Sequence, residues 1–536
     1  MQQIYAFTVA LFTVIAVMPL LIRYSEKLGL IDIPKDDRRS HQKPIPRSGG
    51  IAIAAGVFVA TLLFANITVH MQAILGGAFL IVFFGVLDDI FDLDYRWKFF
   101  GQFLAVGLVM YAGILFYRLP FIDGAIAPNI FIYILSALFL LGVTNAVNLT
   151  DGLDGLAAGT TLLSMILIAI FASMVDQLNK ALLALAVIGA ILGFLRFNTF
   201  PARIFMGDCG SQLLGFLAAC LALSVVQYQG SALAPMLTVL LVGLPILDTL
   251  TVMFIRIRER RSPFSPDKNH LHHQIMARGF YQYEAVAILY VLQVALLLLA
   301  YFTRYESDLL HIAIYAVFCA SILGALWFLR AIGWQYRNVA LMREAERRNR
   351  LFRRLEWLYL NTANIMEFAI SALLAGVAAY LFISCYDDVV SPRYWVSILS
   401  IAGVLLLWKS PSWQLRAAVY PATFVLLYYA SNVASSLAQQ YLMAAEVIIA
   451  VALGIAIRMT RREHFRLDTQ DLLVLAAVLL LPLLPFDELS RYSVDRMVLR
   501  IAIVLYACEF MIGRDVTKRR WLLMITSLCS LLAIGI

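Results

Sequence analysis

Charge is what this chain has least of. Of its 536 residues only 14% are Asp, Glu, Lys or Arg, against 62% hydrophobic, where a soluble domain carries about 25% charged and about 45–50% apolar residues. That excludes a water-soluble fold, because no single core could hide so much apolar surface. Alternating ten-residue segments are missing as well, which excludes a membrane β-barrel. The six cysteines (Cys209, Cys220, Cys319, Cys385, Cys508 and Cys529) are scattered and show no CxxC spacing, so neither a disulfide framework nor a zinc site is indicated. No internal repeat marks the duplicated halves of a transporter. The first apolar stretch, 4–22, has no basic leader and no small-residue cleavage site, and is expected to be a retained span.

What remains is a succession of apolar runs of helix-spanning length. Their centres fall near residues 13, 58, 80, 109, 137, 166, 189, 219, 243, 294, 320, 374, 401, 425, 449, 478, 505 and 529. The expectation is an all-α polytopic membrane protein of about 18 spans, about eleven in residues 1–330 and about seven in 360–536. Sorting the alternate loops by charge places 35 of the 42 Lys and Arg residues on one side and six on the other. By the positive-inside rule the first set is cytoplasmic. The net charge of +8 is therefore chiefly a topology signal, and no nucleic-acid partner is expected. Residues 331–359, rich in Arg set among Leu, Met and Phe, read as a basic amphipathic linker on anionic lipid.

The scarce acids are not scattered. Asp88 and Asp89 end a span in FGVLDDIFDLD, Asp151 and Asp154 lie in NAVNLTDGLDGLAAG, and Asp208 lies in RIFMGDCGSQ; all five fall on the expected cytoplasmic face. Five carboxylates at a membrane boundary need a counter-charge. Hard oxygen donors favour magnesium, with manganese as the alternative, completed by water and substrate phosphate. On a helical turn, Asp151 and Asp154 would share a face, whereas adjacent Asp88 and Asp89 diverge by about 100° and are not expected to do the same job. A basic ring surrounds them: Arg38, Arg39, His41, Lys43 and Arg47, then Lys98, then Arg256, Arg258, Lys268, His270, His272 and His273. Such a ring suits a polyanionic substrate. The crowded HLHH histidines serve phosphate contact or acid–base chemistry better than a zinc site.

In order along the chain, DDRRSHQKPIPRSGG, LDD, NAVNLTDGLDGLAAG, FNTFPARIFMGDCGS and SPFSPDKNHLHH resemble the motifs of the polyprenyl-phosphate N-acetylhexosamine-1-phosphate transferases, the superfamily containing WecA, TagO and MraY. The resemblance covers about residues 1–330 and is closest to the WecA branch, whose His-x-His-His loop differs from three consecutive histidines in the MraY type. It implies transfer of a sugar-1-phosphate, GlcNAc-1-phosphate in first place, from a UDP-N-acetylhexosamine to undecaprenyl phosphate, with release of UMP. It also implies a site facing the cytoplasm in the inner membrane of a bacterium, at the initiating step of a surface polysaccharide. A homodimer is compatible with it. The alternatives are an MraY-like transfer of phospho-MurNAc-pentapeptide and, in another class, a lipid or glycan transporter.

Residue by residue, the resemblance implies Asp208 as the first magnesium ligand, with Asp89 the candidate second, and Asp88 as the group that orients or deprotonates the lipid phosphate. Asn148, Asp151 and Asp154 match positions around the nucleotide and diphosphate. Asn198 falls in the uridine segment, and Lys98, Arg39 and His41 match basic motif positions. His270 belongs to the substrate-binding loop, His272 and His273 match the histidines near the diphosphate, and Arg256 and Arg258 stand in the sugar-facing loop. Residues 360–536 have no counterpart in that pattern.

Overall fold

In the computed structural model, residues 2–32, 44–119, 129–228, 230–262 and 269–336 are described, and all belong to one compact unit. The chain enters as helix α1 (Gln2–Tyr24) and then makes a two-residue antiparallel pairing of Ile31–Asp32 with Ile45–Pro46. That pairing is the one strand element among the described residues of an otherwise helical protein. There follow α2 (Gly49–Phe64), α3 (Val69–Phe91), α4 (Tyr95–Tyr111), α5 (Asn129–Thr150), α6 (Leu156–Met174), α7 (Leu178–Asn198) and α8 (Gly207–Val226). The series closes with α9 (Leu237–Leu241), α10 (Gly243–Arg258), α11 (Leu271–Met276), α12 (Gln282–Phe302) and α13 (Asp308–Ala331).

Each of the first eleven expected span centres lies in a helix, the ninth at Gly243, where the break between α9 and α10 falls. Eight of the helices (α1, α3, α5, α6, α7, α8, α12 and α13) are long and apolar enough to cross a membrane. The protein is thus a polytopic helical membrane protein. The seven further expected spans and the basic linker beyond residue 336 lie outside the described residues, as do Arg39 and His41.

Burial grades outward from the centre. In α6 every residue from Leu156 to Ala172 is buried, and α8 is nearly as enclosed, whereas in α13 His311 and Ile322 alone are buried. Helices buried all round need no amphipathic pattern, which is why these segments read as unbroken apolar runs. Around this centre α1 packs on α7 and α2, α3 on α8 and α4, and α5 on α8 and α10. The outward-facing Phe79, Phe83, Phe103, Leu138 and Val317 form the surface a bilayer would cover.

One close approach sets where α2 meets α8. The Gly49 and Gly50 amides donate to the carbonyls of Phe205 and Met206 at 2.9 and 2.8 Å. A Cβ on Gly50 would stand 2.3 Å from the Gly210 nitrogen, so neither helix can carry a side chain there without separating. Gly50→Val is expected to cost about 1–3 kcal/mol by overpacking and to lower the melting temperature of the purified protein. Gly107→Ala, with nothing within 4 Å of the new methyl, is expected to leave it unchanged or raised, and equal melting of the two variants would refute the contact.

Candidate active site

The acids that the sequence separates by more than a hundred residues meet at one end of the bundle. Asp88 lies in the last turn of α3, buried, and its Oδ1 accepts the Leu93 amide at 2.9 Å. Its Oδ2 stands 2.5 Å from Lys98 Nζ, in the first turn of α4, and the same ammonium reaches Asp208 Oδ2 at 2.8 Å. Lys98 is thus clamped between two carboxylates from different helices. Asp89 points elsewhere, as expected for its neighbour's divergence: its Oδ1 and Oδ2 accept the amides of Asp208 and Cys209 at 2.9 and 3.1 Å. Those amides open α8, so Asp89 is an N-terminal cap supplied by another helix, where a carboxylate also meets the positive end of the helix dipole. Gly207 makes this fit, with a backbone φ of 69° and with the space of its absent Cβ taken 2.5 Å away by Asp89 Oδ2.

Asp151 and Asp154 do not ride a helical turn. Helix α5 ends at Thr150 and α6 begins at Leu156, and Gly155, at φ 78°, turns the chain between them. Asp154 Oδ2 accepts the Ala202 amide at 3.0 Å, tying the turn to the segment before α8. Asp151 faces the other acids: burial first, then the charges of Asp208, Asp154 and Asp89, push its carboxyl up to about 7, with Arg47 opposing. Arg47 in turn holds Asp32 at 2.8 Å. Asn148, one turn before the end of α5, accepts the Ser211 hydroxyl at 2.5 Å. Asn198 is buried with its amide committed at both ends, accepting from Gly155 N at 2.9 Å and donating to the Ile204 carbonyl at 2.8 Å.

The histidines complete the rim. His272 is buried, and its Nε2 makes no hydrogen bond among the described residues. That atom lies 2.7 Å from where a Cβ on Gly152 would stand, so the ring closes over the turn that carries Asp151. Burial, with His273 beside it at 4.2 Å between ring centroids, pushes the His272 imidazole down to about 3. His270 is fixed by Asp248, whose Oδ2 receives its Nδ1 proton at 2.9 Å while Oδ1 accepts the Leu271 amide at 2.7 Å. One buried carboxylate on α10 thereby anchors the start of α11. Arg256 is buried at the end of α10, whereas Arg258 points outward.

Residues 71–226 match the model of glycosyl transferase family 4. A Bacillus subtilis protein named "Probable undecaprenyl-phosphate N-acetylglucosaminyl 1-phosphate transferase" is 36% identical over 292 residues, covering 54% of this chain and 81% of its own length. The chain belongs to glycosyl transferase family 4. An undecaprenyl-phosphate alpha-N-acetylglucosaminyl 1-phosphate transferase of Yersinia pestis is 34% identical, covering 49% of this chain and 74% of its own. The decaprenyl-phosphate N-acetylglucosaminephosphotransferase of Mycolicibacterium smegmatis is also 34% identical, over 49% and 73%.

In this family 4 chain the site is acid-rich and under-compensated. Asp88, Asp89, Asp151 and Asp208 face Lys98 and Arg47, and burial, reinforced by the neighbouring carboxylates, raises the Asp151 carboxyl. Among the described residues no three His, Cys, Asp or Glu side chains are grouped so as to hold a metal by themselves. The chemistry of an acid-rich donor set suits a hard cation such as magnesium, which takes one or two carboxylates and fills its octahedron with water and phosphate. Sequence reasoning overlooked Asp248, although an acid inside the apolar run GLPILDTL is a signal of its own.

The state of His272 carries a pH dependence. Its folded pKa lies below the ordinary value of 6.5, so the stabilisation is complete above about 6.5 and is lost as pH falls towards 3, because the unfolded chain takes the proton first. Between pH 7.5 and 5 the loss is about 2 kcal/mol. His272→Gln is expected to flatten that part of the apparent melting temperature profile in detergent; an unchanged slope would remove the assignment.

Proposed function

We propose that this protein transfers N-acetylglucosamine-1-phosphate from UDP-N-acetylglucosamine to undecaprenyl phosphate, in a magnesium-dependent reaction at the cytoplasmic face of the bacterial inner membrane. The product, a lipid-linked sugar diphosphate, begins a cell-surface polysaccharide. The observation that carries the reading is the Lys98 ammonium held between Asp88 and Asp208, at one end of an apolar helix bundle in a chain of this family. A lipid phosphate anchored by its tail arrives at that level of the membrane and needs no further search in depth.

The chemistry requires two anions to meet. An oxygen of the lipid phosphate attacks the β-phosphorus of the nucleotide sugar, the bond from that phosphorus to the α–β bridging oxygen breaks, and UMP leaves with the electron pair. The attacking phosphate is already ionised at neutral pH, so Asp88 serves to orient it, with Lys98 offsetting its charge. Phosphoryl transfer depends on such positioning and charge stabilisation. Asp208 would hold magnesium, with Asp89, whose oxygens cap the opening amides of α8, as the candidate second ligand, and the bound metal would offset the charge of the donor diphosphate. His272, neutral at physiological pH and with Nε2 unspent, supplies a polar ring atom beside the Asp151 turn, and His273 extends the rim. Asn148, Asp154 and Asn198 shape the loops on which the nucleotide would rest, with Arg256 and Arg258 at the sugar end.

Purified protein given undecaprenyl phosphate, magnesium and a panel of UDP-sugars is expected to release UMP with UDP-N-acetylglucosamine. Chelation of the metal with EDTA should abolish release, and Asp208→Asn should lower turnover at least about 100-fold, the scale of losing one main electrostatic contact to the transition state. Release with a different UDP-sugar alone would reassign the donor. No release with any would overturn the reading.

A further inference from the structure

One helical turn beneath the site lies a layer of side-chain amides that the phosphoryl-transfer chemistry does not call on. Gln102 follows Lys98 by four residues on α4, Gln212 follows Asp208 by four on α8, and Asn145 precedes Asn148 by three on α5. Each therefore stands on the same face of its helix as a site residue, one turn deeper. The three are bonded to one another. Gln102 Nε2 donates to Gln212 Oε1 at 2.9 Å and to Asn145 Oδ1 at 3.2 Å, while Asn145 Nδ2 returns a bond to Gln102 Oε1 at 2.8 Å. Asn145 is further tied to its own helix through the Leu141 carbonyl at 2.8 Å. Gln102 and Gln212 are buried. Above them Ser211 joins α8 to Asn148 on α5 at 2.5 Å, and Lys98 joins α4 to Asp208 on α8.

The same three helices are thus stitched twice, once in the site and once below it. Elsewhere the described helices are joined mainly by apolar side chains, which tolerate sliding. Buried amides do not: a shift of one residue moves a side chain 1.5 Å along its helix and turns it by 100°, leaving the group unpaired in a medium where that costs several kcal/mol. A single buried polar contact is known to specify helix register in this way, at some cost in stability.

We propose that Gln102, Asn145 and Gln212 are positioning residues of the transferase, a register lock that holds α4, α5 and α8 so that Lys98, Asn148 and Asp208 keep one mutual geometry. The inference rests on the transferase reading above. Its mark is a loss of turnover without loss of fold, read in a variant with Leu at both 102 and 212, which removes the two buried amides together and leaves Asn145 its bond to the Leu141 carbonyl.

The double variant Gln102→Leu with Gln212→Leu is expected to melt at or above the wild-type temperature, to lower kcat about 10–100-fold, the scale of a misplacement of about 1 Å, and to change the KM for UDP-N-acetylglucosamine less than threefold. The exchanged pair Gln102→Asn with Asn145→Gln, which restores the combined length of the two amides, is expected to recover most of the turnover lost in either single variant. Wild-type kcat in the double Leu variant would overturn the proposal. So would a fall in activity that tracks a fall in melting temperature, or an exchanged pair no better than the singles. UMP release by the wild-type protein in the same assay separates these outcomes from failure of the transferase reading itself, which would leave the wild type inactive as well.

Discussion

The structure turns on the cost of gathering negative charge at the edge of an apolar bundle. Four carboxylates converge there, and two nearby cations oppose them. Lys98 is bonded to both Asp88 and Asp208, so its ammonium fixes the distance between α3 and α8 as firmly as any packing contact. Asp89 achieves the same result differently, by lending its charge to the opening amides of α8. Two neighbouring acids thus serve one joint, one through a counter-charge and the other through a helix end. The negative charge they leave uncompensated is what phosphate chemistry with a divalent cation calls for.

Rigidity is distributed to suit. The two helices that begin at the acidic turns, α6 and α8, are the most enclosed of the membrane-length helices among the described residues, and their first residues inherit that enclosure. Loops between them are tied by side chains rather than by further helix: Asn198 and Asp154 fasten the Asp151 turn to the segment before α8, and Asp248 fastens the histidine helix to α10. Pinning a loop at both ends reduces the looseness that side chains on loops otherwise have relative to side chains on helices.

Much of this was legible in the chain. Apolar runs announce their helices because a bilayer leaves the backbone no other way to satisfy its hydrogen bonds, and eleven of the centres they mark are helical. That Asp88, Asp151 and Asp208 gather at one end of the bundle followed from type and place, acids at a boundary where acids are rare. What escaped was how side chains are spent. Asp151 and Asp154 fall in the turn between α5 and α6, where the spacing rule for a shared helical face does not apply. Asn198 reads as a ligand-binding residue from its motif, yet its amide is committed to backbone on both sides, something fixed by tertiary contact alone. Gln102, Asn145 and Gln212 were passed over because amides inside apolar runs look unremarkable singly; only the matched offsets from Lys98, Asn148 and Asp208 make them a set.

The outward gradation of burial, from α6 and α8 to the exposed α13, separates two mechanical duties. Bilayers differ in thickness, and helices in contact with lipid accommodate the difference by tilting, at a cost of fractions of a kcal/mol per Å. Here that accommodation falls to the outer helices, while the ones that start at the acidic turns have protein on every side. The reaction centre is accordingly insulated from the elastic state of the membrane that delivers its lipid.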